Sequence, residues 1–543
     1  MNKHHTPLIE VSHYAAMGKP LDNRAVITPK QDTGHSLVDA VEAIRLTANA
    51  GLDADRRGKL GQFMTPPPVA QLMAAMFDDL SGDIHLLDAG AGVGSLTAAL
   101  IEEAAARKRR PTAVTANAYE LEPLLLPPLE QTKALCKNTC NKAGIPFSAK
   151  VFHGDFIEEA TTMLCGDLFA ERIQPRFNRA ILNPPYHKIN SNSKTRQLLR
   201  SVGIETSNLY AAFVALAIRL LEDNGELVAI TPRSFCNGPY FKPFRQLLLG
   251  TMTLKHIHIF HARNKAFKDD EVLQENVIFH AVKAKTADRV QISSSTCAND
   301  PNVERRWVDQ HAVVNPDDPD LFIHIAAQEE DNAIALSARG LPCSLADIGI
   351  QVSTGRVVDF RATNFLKMKP GKSTAPLIYP GHFEQGFVAW PKMEGRKPNA
   401  ITDNVTTADL LVPNDTYVLV KRFSSKEERR RVVAAIYDPQ RIKAARVGFE
   451  NHLNYFHING SGLARNVAKG LAVFLNSTIV DQYFRQFSGH TQVNATDLRS
   501  LRYPAIEQLK RLGCRVRHKL PTQERIDALI EQVLFADHFT LKA

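Results

Sequence analysis

At 543 residues the chain exceeds what one ordinary hydrophobic core supports, so two domains are expected. Hydrophobic residues make up 44% and charged residues 23%, the balance of a globular protein, and no apolar run approaches the roughly 18 residues that span a bilayer. With no apolar centre of a secretory signal in MNKHHTPLIEVSHYAAMGKP, a cytoplasmic protein without a membrane partner is expected, and a net charge of +9 points towards nucleic acid.

In chain order, residues 1–60 read as a peripheral N-terminal arm, helical over HSLVDAVEAIRLTANAGL. From 61 to 290, short apolar strands alternate with helical periodicity: IHLLDAG, TAVTANAYE, AKVFHGD, RAILNPP, GELVAITP and KHIHIFH. That alternation predicts a doubly wound, Rossmann-like α/β domain. Residues 300–543 are turn-rich and irregular, and predict a second domain of mixed α+β structure. Its clearer helices are GLARNVAKGLAVFLNSTIVDQYFRQF and QERIDALIEQVLFA. HTQVNATDLRSL reads as a turn entering a capped helix. Between Lys421 and Arg446 nine basic residues stand against three acidic ones, which suits either phosphate contact or a solvated helix face. Seven cysteines are scattered without zinc-ligand spacing; the closest pair, Cys136 and Cys140, falls in a helix, so buried thiols and no metal site are expected.

Three strand tips carry chemistry. LLDAGAGVGSL places Asp88, Gly90, Gly92 and Gly94 between a strand and a helix, where glycines let backbone amides approach a ligand. The aspartate suits a ligand with an ammonium group better than a pyrophosphate. In AYELEP, Glu120 can accept both ribose hydroxyls, and in HGDF, Asp155 can accept an adenine amino proton while Phe156 packs on the ring. Together they describe an adenosyl site. AILNPPYH sets two prolines where neither a strand nor a helix continues, a rigid turn between an amide and an aromatic ring.

GQFMTPPPVAQLMAAMF, DAGAGVGSL, YELEP, GDF, NPPY and NLYAAF, in that order, resemble the motifs of the gamma-class (TaqI-like) adenine-specific DNA methyltransferases, over residues 60–285. The nearest likeness is to the methylases of PstI/BsuBI-type restriction-modification systems. The resemblance implies S-adenosylmethionine as cofactor, with Phe63 and Thr65 closing over its methionine end. Asn183 and the Pro184 carbonyl would grip the two hydrogens of an adenine amine, with Pro185 fixing the turn. Tyr186 would stack on a base flipped out of duplex DNA, and Phe267, in NKAFKDDEVLQENVIFHAVK, on its other face. Asn208 and Tyr210 would add pocket wall, and no metal would be needed for transfer.

The second domain would then be the target-recognition domain, with Arg356, Arg361, Lys421, Arg422 and Arg499 as candidate DNA contacts. The likeness further implies a prokaryotic source, CTGCAG as target and a separately acting restriction endonuclease. Amino methylation of cytosine N4, methylation of a protein glutamine amide, a combined nuclease–methylase and a non-catalytic DNA-binding module remain open alternatives from the residues themselves.

Overall fold

The computed structural model describes residues 36–52, 64–165, 177–260, 275–284, 288–326, 329–424, 428–488 and 491–535. Phe63 and Phe267 lie outside the described residues. The elements all belong to one compact unit, Leu37–Ala543.

A nine-stranded sheet organises the first half: β1 (Gly82–Ala89), β2 (Pro111–Glu120), β3 (Phe147–His153), β4 (Phe177–Leu182), β5 (Leu221–Pro232), β6 (Thr253–Phe260), β7 (Asn276–Val282), β8 (Arg289–Ser295) and β9 (Glu304–Asp309). The order is β3-β2-β1-β4-β5-β7-β6-β8-β9. Strands β1 to β5 pair in parallel, whereas β7 runs antiparallel between β5 and β6. An antiparallel neighbour needs no crossover helix, so β6 and β7 follow each other in the chain without one among the described residues. The sheet continues through β8 and β9 to Asp309, beyond the 290 boundary drawn from sequence.

Helices α1 (Leu37–Gly51), α2 (Pro67–Ala75), α3 (Ser95–Ala106) and α4 (Leu126–Ala143) share a core with one face of the sheet. Helices α5 (Phe156–Cys165), α6 (Lys194–Ser201), α7 (Leu209–Leu220) and α8 (Lys242–Thr251) share one with the other. The two-residue period of a strand sorts the side chains: Leu86 and Val228 join the first core, Leu87, Leu227 and Ala229 the second. Helix α1 is thus part of a core, through Leu37, Val38 and Val41. Strand order reverses at β1, opening a crevice beyond the carboxyl ends of β1 and β4.

The second half contains a six-stranded sheet in the order Gln351–Thr354, Leu453–His457, Tyr417–Lys421, Ala434–Tyr437, Phe387–Val388, Phe383–Glu384. A five-stranded sheet of 2- to 5-residue strands lies within it in sequence. The segment read as one long helix is two, Arg465–Leu475 and Thr478–Phe487, divided at Ser477, whose hydroxyl accepts from Val480 N and caps the second. Residues 428–433 are not helical, which removes the solvated-helix reading of the basic run; Arg431 is buried. Helix Ala495–Arg499 is capped by Asn494, as its sequence predicts, with Asp497 accepting from Asn494 N.

The two halves meet through buried polar contacts. Asn237 Nδ2 donates to Asp497 Oδ1 (3.1 Å), Ile325 N donates to the Gln486 carbonyl (2.8 Å), and the His324 ring stacks on Tyr483 with centroids 5.3 Å apart. Burial pushes the Asp497 carboxyl up to about 7. The native state therefore keeps a proton that the unfolded chain releases near its ordinary pKa, and stability falls as pH rises from about 4 to about 7. Asp497→Asn should gain stability relative to the parent across that window and show a constant difference above it. Urea unfolding at about pH 5, 6 and 8 measures this.

Helices Arg465–Leu475 and Ile506–Gly513 cross backbone to backbone: a Cβ on Gly470 would lie 1.8 Å from the Leu509 carbonyl oxygen, and one on Gly513 1.8 Å from that of Asn466. Gly470→Ala must separate the pair, and is expected to cost about 3 kcal/mol in urea unfolding.

Candidate active site

Strand β1 ends at the glycine turn. Gly90 N and Ala91 N both donate to the Tyr119 carbonyl (2.9 Å each), locking the turn to β2. Gly90 and Gly92 have φ of +75° and +59°, conformations that residues with a Cβ rarely adopt. The crevice above is lined by Gly90, Ala91 and Gly92 together with Glu120, Asp155, Phe156, Asn183 and Phe213.

Glu120 holds the turn from the second strand tip: Oε2 accepts from Gly92 N (2.7 Å) and Oε1 from Glu122 N (2.8 Å). Asp155 Oδ1 accepts from Ile157 N (2.8 Å) at the start of α5. Burial raises both carboxyls above the ordinary carboxylate range. Phe156 packs between Tyr119 (5.3 Å) and Phe213 (5.1 Å), giving the crevice an aromatic wall. Tyr119 and Phe213 carry no signal of a site in the sequence; they stand within β2 and the second turn of α7, where an aromatic residue reads as core.

Asp88 and Gly94 are placed differently from the ligand contacts expected of them. Asp88 is 1% exposed beneath the turn, accepts from the Thr97 hydroxyl at 2.6 Å and does not line the crevice. Burial pushes its carboxyl up to about 7. Gly94 makes room for α4: a Cβ there would lie 2.9 Å from Leu129 Cδ1. Both side with the packing under the turn.

The proline turn leaves β4 at Asn183. Asn183 Nδ2 donates to Thr65 Oγ1 (3.0 Å), and its Oδ1 lies 3.1 Å from the Tyr186 hydroxyl. That hydroxyl is also 3.3 Å from the Ile230 carbonyl on β5, and burial holds the phenol well above its ordinary pKa. The two bonds set the amide with its nitrogen towards Thr65 and its oxygen towards Tyr186. Pro184 is buried; Asn183, Pro185 and Tyr186 are half-buried. Thr65 is not the cap of α2, a position taken by Pro66, but a buried partner of Asn183. Of the α7 residues, Leu209 and Phe213 line the crevice. Tyr210 is instead buried, edge-on to Tyr186 and bonded to Ser234 Oγ (2.9 Å), while Asn208 stands at the N-terminal boundary of the helix, its side chain donating to Ser207 Oγ.

Arg233, just beyond β5, is unmarked in the sequence, since an arginine after a proline carries no pattern of its own. Its main-chain N donates to the Glu275 carbonyl (2.8 Å) and its guanidinium to Glu275 Oε1 (2.7 Å) and to the carbonyls of Arg485 (3.2 Å) and Gln486. Among the described residues one metal-like cluster occurs, Asp78, Glu226 and His280, but Glu226 already faces Arg179 at 3.3 Å and accepts from Asp78 N at 2.8 Å. The guanidinium supplies the positive charge there. The free thiols of Cys136 and Cys140 are buried in α4.

The crevice fits S-adenosylmethionine: a glycine turn that leaves its floor free of bulky side chains, carboxylates at the next two strand tips, and an aromatic wall for a purine.

Of the candidate DNA contacts, Lys421 lines a groove of about 1170 Å³ together with Arg429, Arg430, Arg515, Arg517, Lys519 and Arg525. Arg422 is half-buried and donates to the Asn451 carbonyl (3.2 Å). Arg356 and Arg361 are exposed elsewhere, the first donating to the Asp409 carbonyl and the second beside the Phe360 ring, and Arg499 ends its short helix in solvent. No helix among the described residues is long and apolar enough to cross a membrane.

Comparison with known proteins agrees with this geometry. Residues 130–267 match the family described as Eco57I restriction-modification methylase. Type II methyltransferase M.PstI of Providencia stuartii is 48% identical over 500 residues, 92% of this chain and 97% of that one. Type II methyltransferase M.BsuBI of Bacillus subtilis is 45% identical over 505 residues, 92% and 99% of the two chains. The Type IIL restriction-modification enzyme MmeI, solved in complex with DNA, shares the fold with a TM-score of 0.50 at 13% identity, covering 93% of this chain and 74% of that one. The chain belongs to the Eco57I/PstI/BsuBI-type gamma class of adenine-specific DNA methyltransferases, enzymes that use S-adenosylmethionine to methylate adenine N6 at specific sites in DNA.

Proposed function

We propose that the Asn183 amide, oriented between Thr65 and Tyr186, is the group that activates the target amine, and that an adenine reaches it by leaving the duplex. The carrying observation is the pair of hydrogen bonds that fixes the amide at the crevice. A carbonyl oxygen has two lone pairs, so Asn183 Oδ1 accommodates both the tyrosine hydroxyl and one N6 hydrogen. The Pro184 carbonyl takes the other. With both hydrogens held, the nitrogen lone pair is released from the ring and aimed at the methyl donor.

When bound, S-adenosylmethionine supplies a methyl group on a positively charged sulfur. Glu120 and Asp155 would orient its adenosyl end, and the glycine turn would leave room for it. As the N6–carbon bond forms, positive charge develops on N6, and the two acceptors stabilise it without a strong base. N6 then loses one proton to solvent. The leaving group such a cofactor would supply is a neutral thioether, which would need no metal to stabilise it. The Tyr186 ring offers the base a stacking face, fixed in position by its hydroxyl.

The DNA would lie with phosphates in the basic groove. Among the described residues, Lys421, Arg429, Arg515, Arg517, Lys519 and Arg525 form no ion pair within 4.0 Å, and Glu384 and Glu428 are the acidic residues lining the groove with them. The likeness to M.PstI and M.BsuBI runs through both halves, which supports CTGCAG as the target and a separate endonuclease as functional companion.

Asn183→Ala should lower kcat on a CTGCAG duplex by about 100-fold or more while S-adenosylmethionine affinity stays within about twofold. Methyl transfer from labelled cofactor and calorimetric binding measure the two. Arg515→Ala/Arg517→Ala/Lys519→Ala should reduce the slope of log Kd against log salt by about 0.9 for every phosphate the variant no longer neutralises, with kcat unchanged at saturating DNA. An unaltered slope would remove the groove from the DNA interface.

A further inference from the structure

Arg233 is 3% exposed and stands where three parts of the molecule meet. It lies three residues beyond Ile230, whose carbonyl receives the Tyr186 hydroxyl. Through its main-chain N and guanidinium it holds Glu275, at the head of β7. Through Nη2 of the guanidinium it holds the carbonyls of Arg485 and Gln486, in the last turn of helix Thr478–Phe487 of the second half. A guanidinium suits this place on two counts. Its planar fork can serve a carboxylate and two carbonyls at once, which an ammonium cannot. Its charge also faces the negative end of a helix dipole.

We propose that Arg233 is a positioning residue for methyl transfer: it joins the DNA-recognition half to the strand end that sets Tyr186, and through Tyr186 the Asn183 amide. The connection is short and made of polar contacts with defined directions. The helix terminus bears on Arg233, Arg233 continues the strand from Ile230, the Ile230 carbonyl meets the Tyr186 hydroxyl, and that hydroxyl meets Asn183 Oδ1. The neighbouring Ser234 extends the same support by its bond to Tyr210, the ring packed edge-on to Tyr186. Other contacts across the halves, such as Asn237 with Asp497, do not end on this strand. A shift of the recognition half on binding DNA is thereby felt at the target-base site, whereas the glycine turn and Glu120, on β1 and β2, lie outside the chain of contacts.

The inference rests on the roles proposed for Asn183 and Tyr186, and two sets of variants separate them. With full-length protein, Arg233→Met should lower kcat about 10- to 100-fold at saturating duplex and leave S-adenosylmethionine affinity within about twofold. Arg233→Lys should fall between Arg233→Met and the parent. A duplex with 2-aminopurine in place of the target adenine should show a smaller fluorescence rise with Arg233→Met than with the parent. Asn237→Ala, which cuts a contact between the halves away from this strand, should lower the unfolding midpoint without the loss of kcat. The proposal is overturned if Arg233→Met keeps kcat within twofold of the parent. It is equally overturned if Asn237→Ala loses kcat in the same proportion to its lost stability. Should Arg233→Met not fold, Arg233→Lys and Glu275→Gln carry the same comparison. An inactive Asn183→Ala beside a fully active Arg233→Met rejects this inference alone; an active Asn183→Ala rejects the reading beneath it.

Discussion

The catalytic half is arranged around an amide held from both sides. Asn183 donates to Thr65 and faces the Tyr186 hydroxyl, so neither end of the side chain can turn without breaking a contact. One partner is distant in sequence, Thr65 at 118 residues from Asn183, and the other local, Tyr186 at three. Thr65 arrives on the residues entering α2, and Tyr186 is tied to β5 through the Ile230 carbonyl. The requirement that α2 and β5 meet at one strand tip explains why the amide sits beyond β4, beside the point where strand order reverses.

The same economy appears in the cofactor crevice. Glu120 is engaged by two main-chain amides, Gly92 and Glu122, and so shapes the glycine turn it also lines. A carboxylate with two lone pairs on each oxygen can brace the turn and still accept from a ligand. Asp155 combines the start of α5 with the crevice wall in the same way.

Much of this was legible in the sequence because strand tips in a parallel sheet converge. DAGAGVG, YELEP, GDF and NPPY each end a strand, and adjacent parallel strands must bring those ends together. What the sequence hid has physical causes. Asp88 and Gly94 carry the signature of a ligand turn, yet a helix packs directly on Gly94 and the Thr97 hydroxyl engages Asp88 Oδ2 beneath the turn, and both facts depend on tertiary neighbours. The inverted β7 has the same apolar pattern as a parallel strand, so its direction cannot be read from periodicity. In the second half, strands of two to five residues are too short for any period to register, so neither of its two sheets is visible in the sequence. The KEERRR run has the composition of a solvated helix, but Arg431 is drawn into the core while Arg429 and Arg430 face the groove.

That groove has a thermodynamic consequence for the free protein. Cations that outnumber the acidic groups in one concavity repel one another, and the fold carries that repulsion whenever nothing covers them. A polyanion that engages the native groove and not the unfolded chain relieves the strain and is linked to folding by mass action. With DNA placed in the groove as proposed, the duplex would act as a stabilising ligand of the second half, and the enzyme would be at its most robust while engaged with the polymer it modifies.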